Sequence, residues 1–517
     1  MRAGDTRHPA AGHGGADGGN PGSGASAHSP EGRPSGRELV LFTVAALAFR
    51  AVVLCIDAQP RFFLGDSADY LLVHYPDRIP MDRSWAYGLA INAVIDATRS
   101  LTAIALVQSA LSAAMCAGLA AFCRWLGARR AIAWAALAFA SADPLLLYYD
   151  RSLMTDAPAT VAIFAAIALS VIAVRRASLA WAIGAAASFW CATLLRTILV
   201  PLVMVVPLLL LVLAVAGRRA AAAAASPRWR SPRAVAAALV VATVGGNALY
   251  AHVTGVLTGH ATLNARSGYY LIGVMAPILA PEDFRGSDIN DVERILAQSQ
   301  HGRRELRNAQ VFAPDGIAPR LERALGGDWE AVSRIGDRAA RRAVLRDPLG
   351  FAGLCAANAR DYLSPDVNRQ YFASALGLDR DLHPSTVERL RRDVREPVAV
   401  DMPRWLSPLI RWIAVTVWTM PVLALLAFAT PGVVLLMVTR RAQWPNGEAA
   451  VAAPVLAVSL WTYLATVLAL SPEPVLRYLL PLVPLLVALL ALLAELGLTR
   501  LRGNGLRSSI ASPGPGR

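Results

Sequence analysis

Two carboxylates follow directly after the first long apolar run of the chain, in the stretch FLGDSADY, where Asp66 and Asp69 lie close together. A positioned carboxylate can accept the proton that an attacking hydroxyl loses, which makes Asp66 a candidate general base. A third carboxylate, Asp156, precedes another apolar run in the stretch DRSLMTDAP. Arg196 and Arg477 lie at the ends of further apolar runs, and arginine binds phosphate through paired hydrogen bonds. These residue types together predict proton transfer and phosphate binding at the edge of a membrane.

The elements that would position these residues are membrane-spanning helices. The chain has 517 residues, of which 55% are hydrophobic and 17% charged, and this balance is far more apolar than that of a water-soluble protein. We predict an all-α polytopic membrane protein with about ten transmembrane helices, external loop helices and a small extracytoplasmic helical insert. The apolar segments fall at 38–56, 101–123, 131–148, 157–174, 178–195, 197–216, 234–253, 410–438, 449–470 and 477–496.

The basic residues predict the orientation of these helices. All 50 are arginine, a usage that fits a GC-rich genome and does not indicate nucleic-acid binding. Arginines concentrate in alternate connections, which the positive-inside rule places in the cytoplasm: 124–130, 175–176, 217–233, 439–444 and 499–507. The connections that carry the candidate residues therefore lie on the extracytoplasmic side, and the short segment 86–98 is predicted to be an interfacial helix. The expected location is the bacterial inner membrane, with the site facing the periplasm or exterior.

The same pattern divides the chain into five parts. We predict a disordered cytoplasmic tail at 1–36, an N-terminal transmembrane module at 37–253, an extracytoplasmic insert at 254–408, C-terminal transmembrane helices at 409–498 and a cytoplasmic tail at 499–517. The five cysteines show no C-x-x-C pair and fall mostly in apolar runs, so disulfides and metal ligands are not expected among them.

Motifs for nucleotides are missing from the sequence. It contains no P-loop, no G-x-G-x-x-G and no D-x-D of the sort that holds a nucleotide sugar through a metal ion, and FLGDSADY supplies a D-x-x-D instead. An enzyme outside the cytoplasm would need an activated substrate that the membrane delivers, and a lipid phosphate-linked group meets that requirement.

Four short stretches resemble the GT-C glycosyltransferases, in the protein mannosyltransferase and aminoarabinose transferase superfamily, which transfer a sugar from a polyprenyl-phosphate carrier. They are GDSADY, YYDRSLMTDAPATVAIF, LLRTILVPL and LRYLLPLVPLL, in this order along the chain. The resemblance implies that Asp66 is the catalytic base, with Tyr70 following it, and that Asp156 matches an acidic position in the second external loop. Ser67 stands where many relatives have Glu, and Asp69 could take the place of that second acid.

The remaining candidates are predicted to bind substrate, and each also has a structural explanation. Arg196 and Arg477 would hold the donor phosphate, or they anchor helices at the headgroups. Tyr478 would contact the sugar or belong to an interfacial aromatic belt, as would Trp85 and Tyr87. Asp69 is also explained as a solvated loop residue.

Two further alternatives concern the second external loop. Asp156 is also explained as the cap of the helix that begins near Ala157. Arg151 would simply pair with Asp150 or with Asp156.

The predicted function is therefore sugar transfer from a polyprenyl-phosphate donor to an acceptor lipid, glycan or protein outside the cytoplasm. Direct displacement assisted by a single base predicts inversion at the anomeric carbon. The sequence indicates no definite cofactor beside the polyprenyl-phosphate sugar that serves as donor substrate, and dependence on a divalent cation stays open. A transporter or flippase of lipid-linked sugars and a non-catalytic membrane scaffold are the alternatives, the first expected to carry broken helices at the bilayer midplane.

Overall fold

The computed structural model describes residues 34–57, 60–62, 66–73, 83, 85–216, 231–287, 289, 291–375, 384–395, 408–439, 444 and 447–510. The predicted tail at 1–36 lies outside this part except for its last residues, as do most of the arginine-rich connection 217–233 and the chain end 511–517. All regular structure in the described part is helical, and an isolated β-bridge joins Arg61 to Ser152. The prediction of an all-α membrane protein is confirmed at this level.

The N-terminal module contains the first ten helices. They are α1 (Gly36–Ile56), α2 (Asp66–Leu71), α3 (Trp85–Thr98), α4 (Thr102–Trp125), α5 (Arg130–Ala142), α6 (Pro144–Tyr149), α7 (Asp156–Arg176), α8 (Leu179–Leu195), α9 (Val200–Ala216) and α10 (Pro232–Thr258). A capping box of Ser35 and Glu38 begins α1, so the first backbone N–H groups of that helix are satisfied. α3 corresponds to the predicted interfacial helix.

Eight of the described helical segments are long and apolar enough to cross a membrane, which makes this a multi-pass membrane protein. Two of the ten predicted spans are shorter. α5 has 13 residues and α8 has 17, and each is apolar. The prediction of one continuous helix over 131–148 is wrong, because Asp143 caps a new helix through Leu146 N at 2.8 Å and Pro144 occupies its first turn.

The insert contains α11 (Ser267–Met275), α12 (Val292–Gln298), α13 (Arg307–Phe312), α14 (Ile317–Ala324), α15 (Trp329–Arg346), α16 (Pro348–Tyr362), α17 (Pro365–Ala375) and α18 (Pro384–Asp393). Residues of α11, α12, α14 and α15 form a hydrophobic core of their own. Tyr362 and Leu390 belong instead to the core of the transmembrane bundle. The insert therefore has one part that packs on itself and a return segment that packs on the bundle.

The chain ends with α19 (Pro408–Ala414), α20 (Thr416–Thr439), α21 (Gly447–Leu470) and α22 (Leu482–Ile510). A 3-10 helix, Leu476–Leu479, precedes α22, so the predicted start of the last span at residue 477 is wrong. α7, α21 and α22 are the most deeply buried of the described spans, since 72%, 67% and 67% of their apolar windows are buried, against 22% for α1. Asp156 is the first residue of α7, and Arg477 and Tyr478 lie in the 3-10 helix between α21 and α22.

The arginine-rich helix ends meet at one end of the bundle. Arg130 Nε lies 2.7 Å from Glu38 Oε1, and Arg129 Nε lies 3.0 Å from Glu495 Oε1. Glu38 lies in the first turn of α1, and Glu495 lies on α22. Of the candidate residues, Asp66 follows the other end of α1 along the chain, and Arg477 precedes the first residue of α22.

Candidate functional site

A cavity of about 830 Å³ lies where the ends of α2, α7, α8 and α21 face the insert. This volume is within the range of small-molecule sites, roughly 300 to 1,000 Å³. The structure brings together in its wall all seven residues that the sequence singled out: Asp66, Asp69, Tyr70, Asp156, Arg196, Arg477 and Tyr478. They come from four separate stretches of the chain.

Asp66 is held between two arginines. Arg477 Nη1 donates to Asp66 Oδ2 at 2.6 Å, and Arg83 Nη1 donates to Asp66 Oδ1. Burial by itself raises the pKa of the Asp66 carboxyl, but the charges of Arg477 and Arg83 outweigh burial and lower that pKa to about 2. Asp66 is therefore a stable carboxylate in this arrangement, and a weak base while both arginines hold it.

Arg83 also holds the second carboxylate of the stretch. Its Nε donates to Asp69 Oδ2 at 2.7 Å, so one guanidinium bridges Asp66 and Asp69. The Asp69 side chain is 36% exposed, whereas that of Asp66 is 13% exposed. Asp69 lies at the rim of the ion-pair network and Asp66 at its centre.

The second carboxylate–arginine pair is Asp156 with Arg196. Asp156 is fully buried at the first position of α7, and its Oδ1 accepts from Arg196 Nη1. Its Oδ2 is buried and accepts no hydrogen bond from the described residues. Burial lowers the pKa of Arg196 and the neighbouring Asp156 raises it, with a net rise, so Arg196 stays charged.

Tyr478 lies between the two arginines that the sequence assigned to a phosphate. The Arg196 guanidinium carbon is 5.0 Å from the centre of the Tyr478 ring, and that of Arg477 is 5.5 Å away. Cation–π attraction therefore fixes both guanidinium groups near one ring. The arrangement presents two permanent positive charges to one part of the cavity.

Tyr70 lines the same cavity as the carboxylates. Its hydroxyl lies 3.4 Å from Thr155 Oγ1, and its ring packs edge-to-face on Tyr87 with the centroids 4.9 Å apart. Burial and the charge of Asp66 raise the pKa of Tyr70 to about 12, so this hydroxyl stays protonated. Tyr87 is buried and donates to Gln108 Oε1 at 2.8 Å, so the interpretation of Tyr87 as an interfacial belt residue is wrong.

The two loops that carry Asp66 and Asp156 are joined to each other. Arg61 N donates to Arg151 O at 2.8 Å, and Leu153 N donates back to Arg61 O at 2.9 Å. Ser67, next to Asp66, donates to Leu153 O at 2.8 Å. These bonds explain how two carboxylates ninety positions apart reach one cavity.

Buried ion pairs reinforce this junction. Arg151 is fully buried and lies 2.9 Å from Asp57 Oδ2 and 3.8 Å from Asp150 Oδ1. Arg50, in the middle of α1, lies 3.1 Å from the other oxygen of Asp150. Of the two pairings considered for Arg151, the one with Asp150 is present; the expected alternative partner, Asp156, pairs with Arg196 instead.

Sequence reasoning missed a second group of lining residues. Arg83 had no motif around it. Asn264, Tyr270, Asn308 and Phe312 come from the insert, and Glu473 follows α21. Their signal in the sequence is weak, because nothing local shows that the insert folds back over the ends of the membrane helices.

The donor set favours arginine as the source of positive charge. Among the described residues no three His, Cys, Asp or Glu side chains converge in the manner of metal ligands. Both oxygens of Asp66 already accept from arginine, so a cation there would have to displace a guanidinium group. The site can hold an anion through Arg196 and Arg477, and it places a carboxylate beside that anion.

No protein-family model matches this chain, and no curated protein matches it significantly.

Proposed function

We propose that this protein is an integral membrane glycosyltransferase of the GT-C type, which moves a sugar from a polyprenyl-phosphate donor to an acceptor hydroxyl outside the cytoplasm. The observation that carries the proposal is the Asp66 carboxylate held between Arg83 and Arg477 in a cavity that also contains the Arg196–Asp156 pair. A permanent cation for phosphate and a carboxylate for a hydroxyl proton are the two groups that this reaction needs.

The donor phosphate would bind where Arg196 and Arg477 flank Tyr478. Arginine forms charge-assisted, bidentate hydrogen bonds with phosphate, and these are stronger than bonds to neutral acceptors. The polyprenyl phosphate needs no strong general acid to leave, because it departs as an anion that the two arginines neutralise. Asp156, which pairs with Arg196, would hold that guanidinium in place beside the phosphate.

Donor binding would also raise the pKa of Asp66, the proposed base. When Arg477 turns toward the phosphate, Asp66 loses one of the two guanidinium groups that lower its pKa to about 2. Its pKa then rises toward that of an ordinary carboxyl, about 3.9, and Asp66 becomes a better proton acceptor. Donor binding thus makes Asp66 a stronger base than it is in the empty site, although Arg83 still holds it.

The reaction follows as a direct displacement. The acceptor hydroxyl oxygen bonds to the anomeric carbon while Asp66 accepts its proton, and the bond from that carbon to the phosphate oxygen breaks. The bonding electrons leave with the polyprenyl phosphate. A single displacement inverts the configuration at the anomeric carbon.

The proposal is tested with purified full-length protein in lipid vesicles that contain a polyprenyl phosphate carrying a radiolabelled sugar. A membrane extract supplies acceptors, and the labelled product is identified after lipid extraction. Transfer by the parent protein and its loss in Asp66→Asn support the proposal. Label that crosses the bilayer while it remains on the lipid would indicate a flippase, and label that neither moves nor transfers would indicate a scaffold.

A further inference from the structure

The cavity has two walls of different chemistry. Among the described residues, all of the charged lining residues come from the transmembrane part and its connecting loops: Asp66, Asp69, Arg83, Asp156, Arg196, Glu473 and Arg477. The wall that the insert contributes, here called the insert wall, consists of Thr262, Leu263, Asn264, Ser267, Tyr270, Leu271, Val274, Asn308 and Phe312. None of these nine side chains is charged. A ligand that fills the cavity therefore meets charges on one side and neutral groups on the other.

The polar groups of the insert wall are amides and hydroxyls. The side chains of Asn264, Asn308, Thr262 and Ser267 can each donate and accept hydrogen bonds. A sugar hydroxyl also donates and accepts, so it matches such groups without a charge. A phosphate or carboxylate would find no cation on this wall.

Aromatic rings complete the insert wall. Tyr270 and Phe312 pack edge-to-face with their centroids 5.8 Å apart, and Phe312 is 61% exposed although it lines the cavity. An aromatic ring beside amide groups suits a pyranose. The C–H face of the sugar packs on the aromatic ring, and the sugar hydroxyls reach the amides. Glu473 Oε1 accepts from Asn308 at 3.4 Å, so a carboxylate stands at the edge of the insert wall as a further acceptor for hydroxyls.

We propose that the insert wall is the acceptor subsite and that it binds the neutral sugar part of a glycan. The proposal rests on the proposed function, because it assumes that the charged wall holds the donor phosphate. A peptide acceptor fits less well, since peptides are commonly held through backbone hydrogen bonds to a strand edge, and the insert wall comes from α11, α13 and the loop before α11. Backbone groups inside helices already bond each other.

The test measures binding, so that it does not depend on catalysis. Full-length protein in detergent is applied to a panel of immobilised neutral oligosaccharides and, beside it, to a panel of Ser- and Thr-containing peptides. We expect the parent protein to bind a subset of the oligosaccharides. Phe312→Ala should weaken that binding about tenfold, through loss of ring stacking, and Asn308→Ala should also weaken it.

Leu345→Ala is the matched control, because Leu345 is 82% exposed on α15 of the same insert and does not line the cavity. The exposure of Phe312 means that its removal leaves the core intact, which a thermal melting curve verifies. Binding to the peptides alone, binding to neither panel, or equal effects of Phe312→Ala and Leu345→Ala would each overturn the inference.

The two proposals fail in different ways. Oligosaccharide binding that depends on Phe312, with no sugar transfer from a polyprenyl phosphate, would contradict the reaction and leave the subsite standing. Transfer onto a peptide, or onto a lipid without sugar, would contradict the subsite and leave the reaction standing.

Discussion

Replacement of Asp66 by Asn tests the centre of the site, because it preserves size and removes the proton acceptor. General base catalysis is typically worth about 100-fold to 10,000-fold in rate, so turnover should fall by that factor. Donor binding should survive or become tighter, since Arg477 and Arg83 lose the carboxylate that competes with a phosphate for their guanidinium groups. The substitution therefore separates proton transfer, which should be lost, from donor binding, which should be kept.

The same substitution has a cost in stability that follows from the pKa. The pKa of Asp66 is lowered from 3.8 to about 2, and the ionised carboxylate is therefore favoured in the folded protein by about 2 kcal/mol. A lowered carboxyl pKa stabilises the fold above the unfolded pKa, and this contribution is lost as the pH falls from about 4 to about 2. At neutral pH Asp66→Asn should lower the thermal midpoint of unfolding, and at the acid end of that window the two proteins should converge.

The assay measures sugar transfer, donor binding and thermal unfolding on the same preparations of parent, Asp66→Asn and Asp69→Asn. Asp69 is the matched control, since it shares Arg83 but is 36% exposed and contacts no second arginine among the described ion pairs. Its variant should be milder in all three measurements. Near-normal transfer by Asp66→Asn would refute the role of base, and a severe loss confined to Asp69→Asn would move the base three residues along the chain.

Three further outcomes are expected. Lys in place of Arg196 or Arg477 keeps the charge and loses the planar fork, so the donor KM should rise about tenfold in enzyme assays of either variant, and unchanged donor kinetics in both would leave these residues as anchors. Arg151→Met should destabilise the protein by about 1–3 kcal/mol in denaturation experiments, because Asp57 and Asp150 keep Arg61 and Arg50 but lose the buried guanidinium that lies between them; an unchanged midpoint would contradict the proposed loop junction. Reporter fusions should place residue 330 outside and residue 225 inside, and finding both on one side would refute the orientation.

The residues of the site could be predicted because the side of the membrane on which a connection lies follows from the charges near it in the sequence. Asp66, Asp156, Arg196 and Arg477 each follow or precede an apolar run, and alternate connections of a helical bundle lie on the same side. That reasoning places them in one layer, but it does not pair them. The Asp66–Arg477 contact joins residues 411 positions apart, and no periodicity in the sequence specifies such a pair.

The breaks in the helices were foreseeable only in part. Asp143 and Pro144 form an N-cap followed by a first-turn proline, which is a recognised start signal. The apolar run from 131 to 148 is continuous, so hydropathy alone predicts one helix there. Hydropathy indicates burial or lipid contact, and it does not indicate where one helix ends and the next begins. The Arg50–Asp150 pair follows the expectation that an ionisable residue within a span faces the protein interior with a partner. Its partner lies on another loop, and only the fold identifies it.

The arrangement of charges in the cavity argues for exchange between ion pairs. Arginine and carboxylate groups alternate there, Asp69 with Arg83, Arg83 with Asp66, Asp66 with Arg477, and each pair satisfies charges that would be costly to bury alone. An anionic ligand that takes the Nη1 donor of Arg477 replaces the Asp66 carboxylate there. The carboxylate that is released is then the nearest base to the ligand, and under the proposed reaction it stands where the attacking hydroxyl must lose its proton. Under the proposed reaction, binding of the donor phosphate and activation of the Asp66 base are one rearrangement, which begins when the contact between Arg477 and Asp66 breaks.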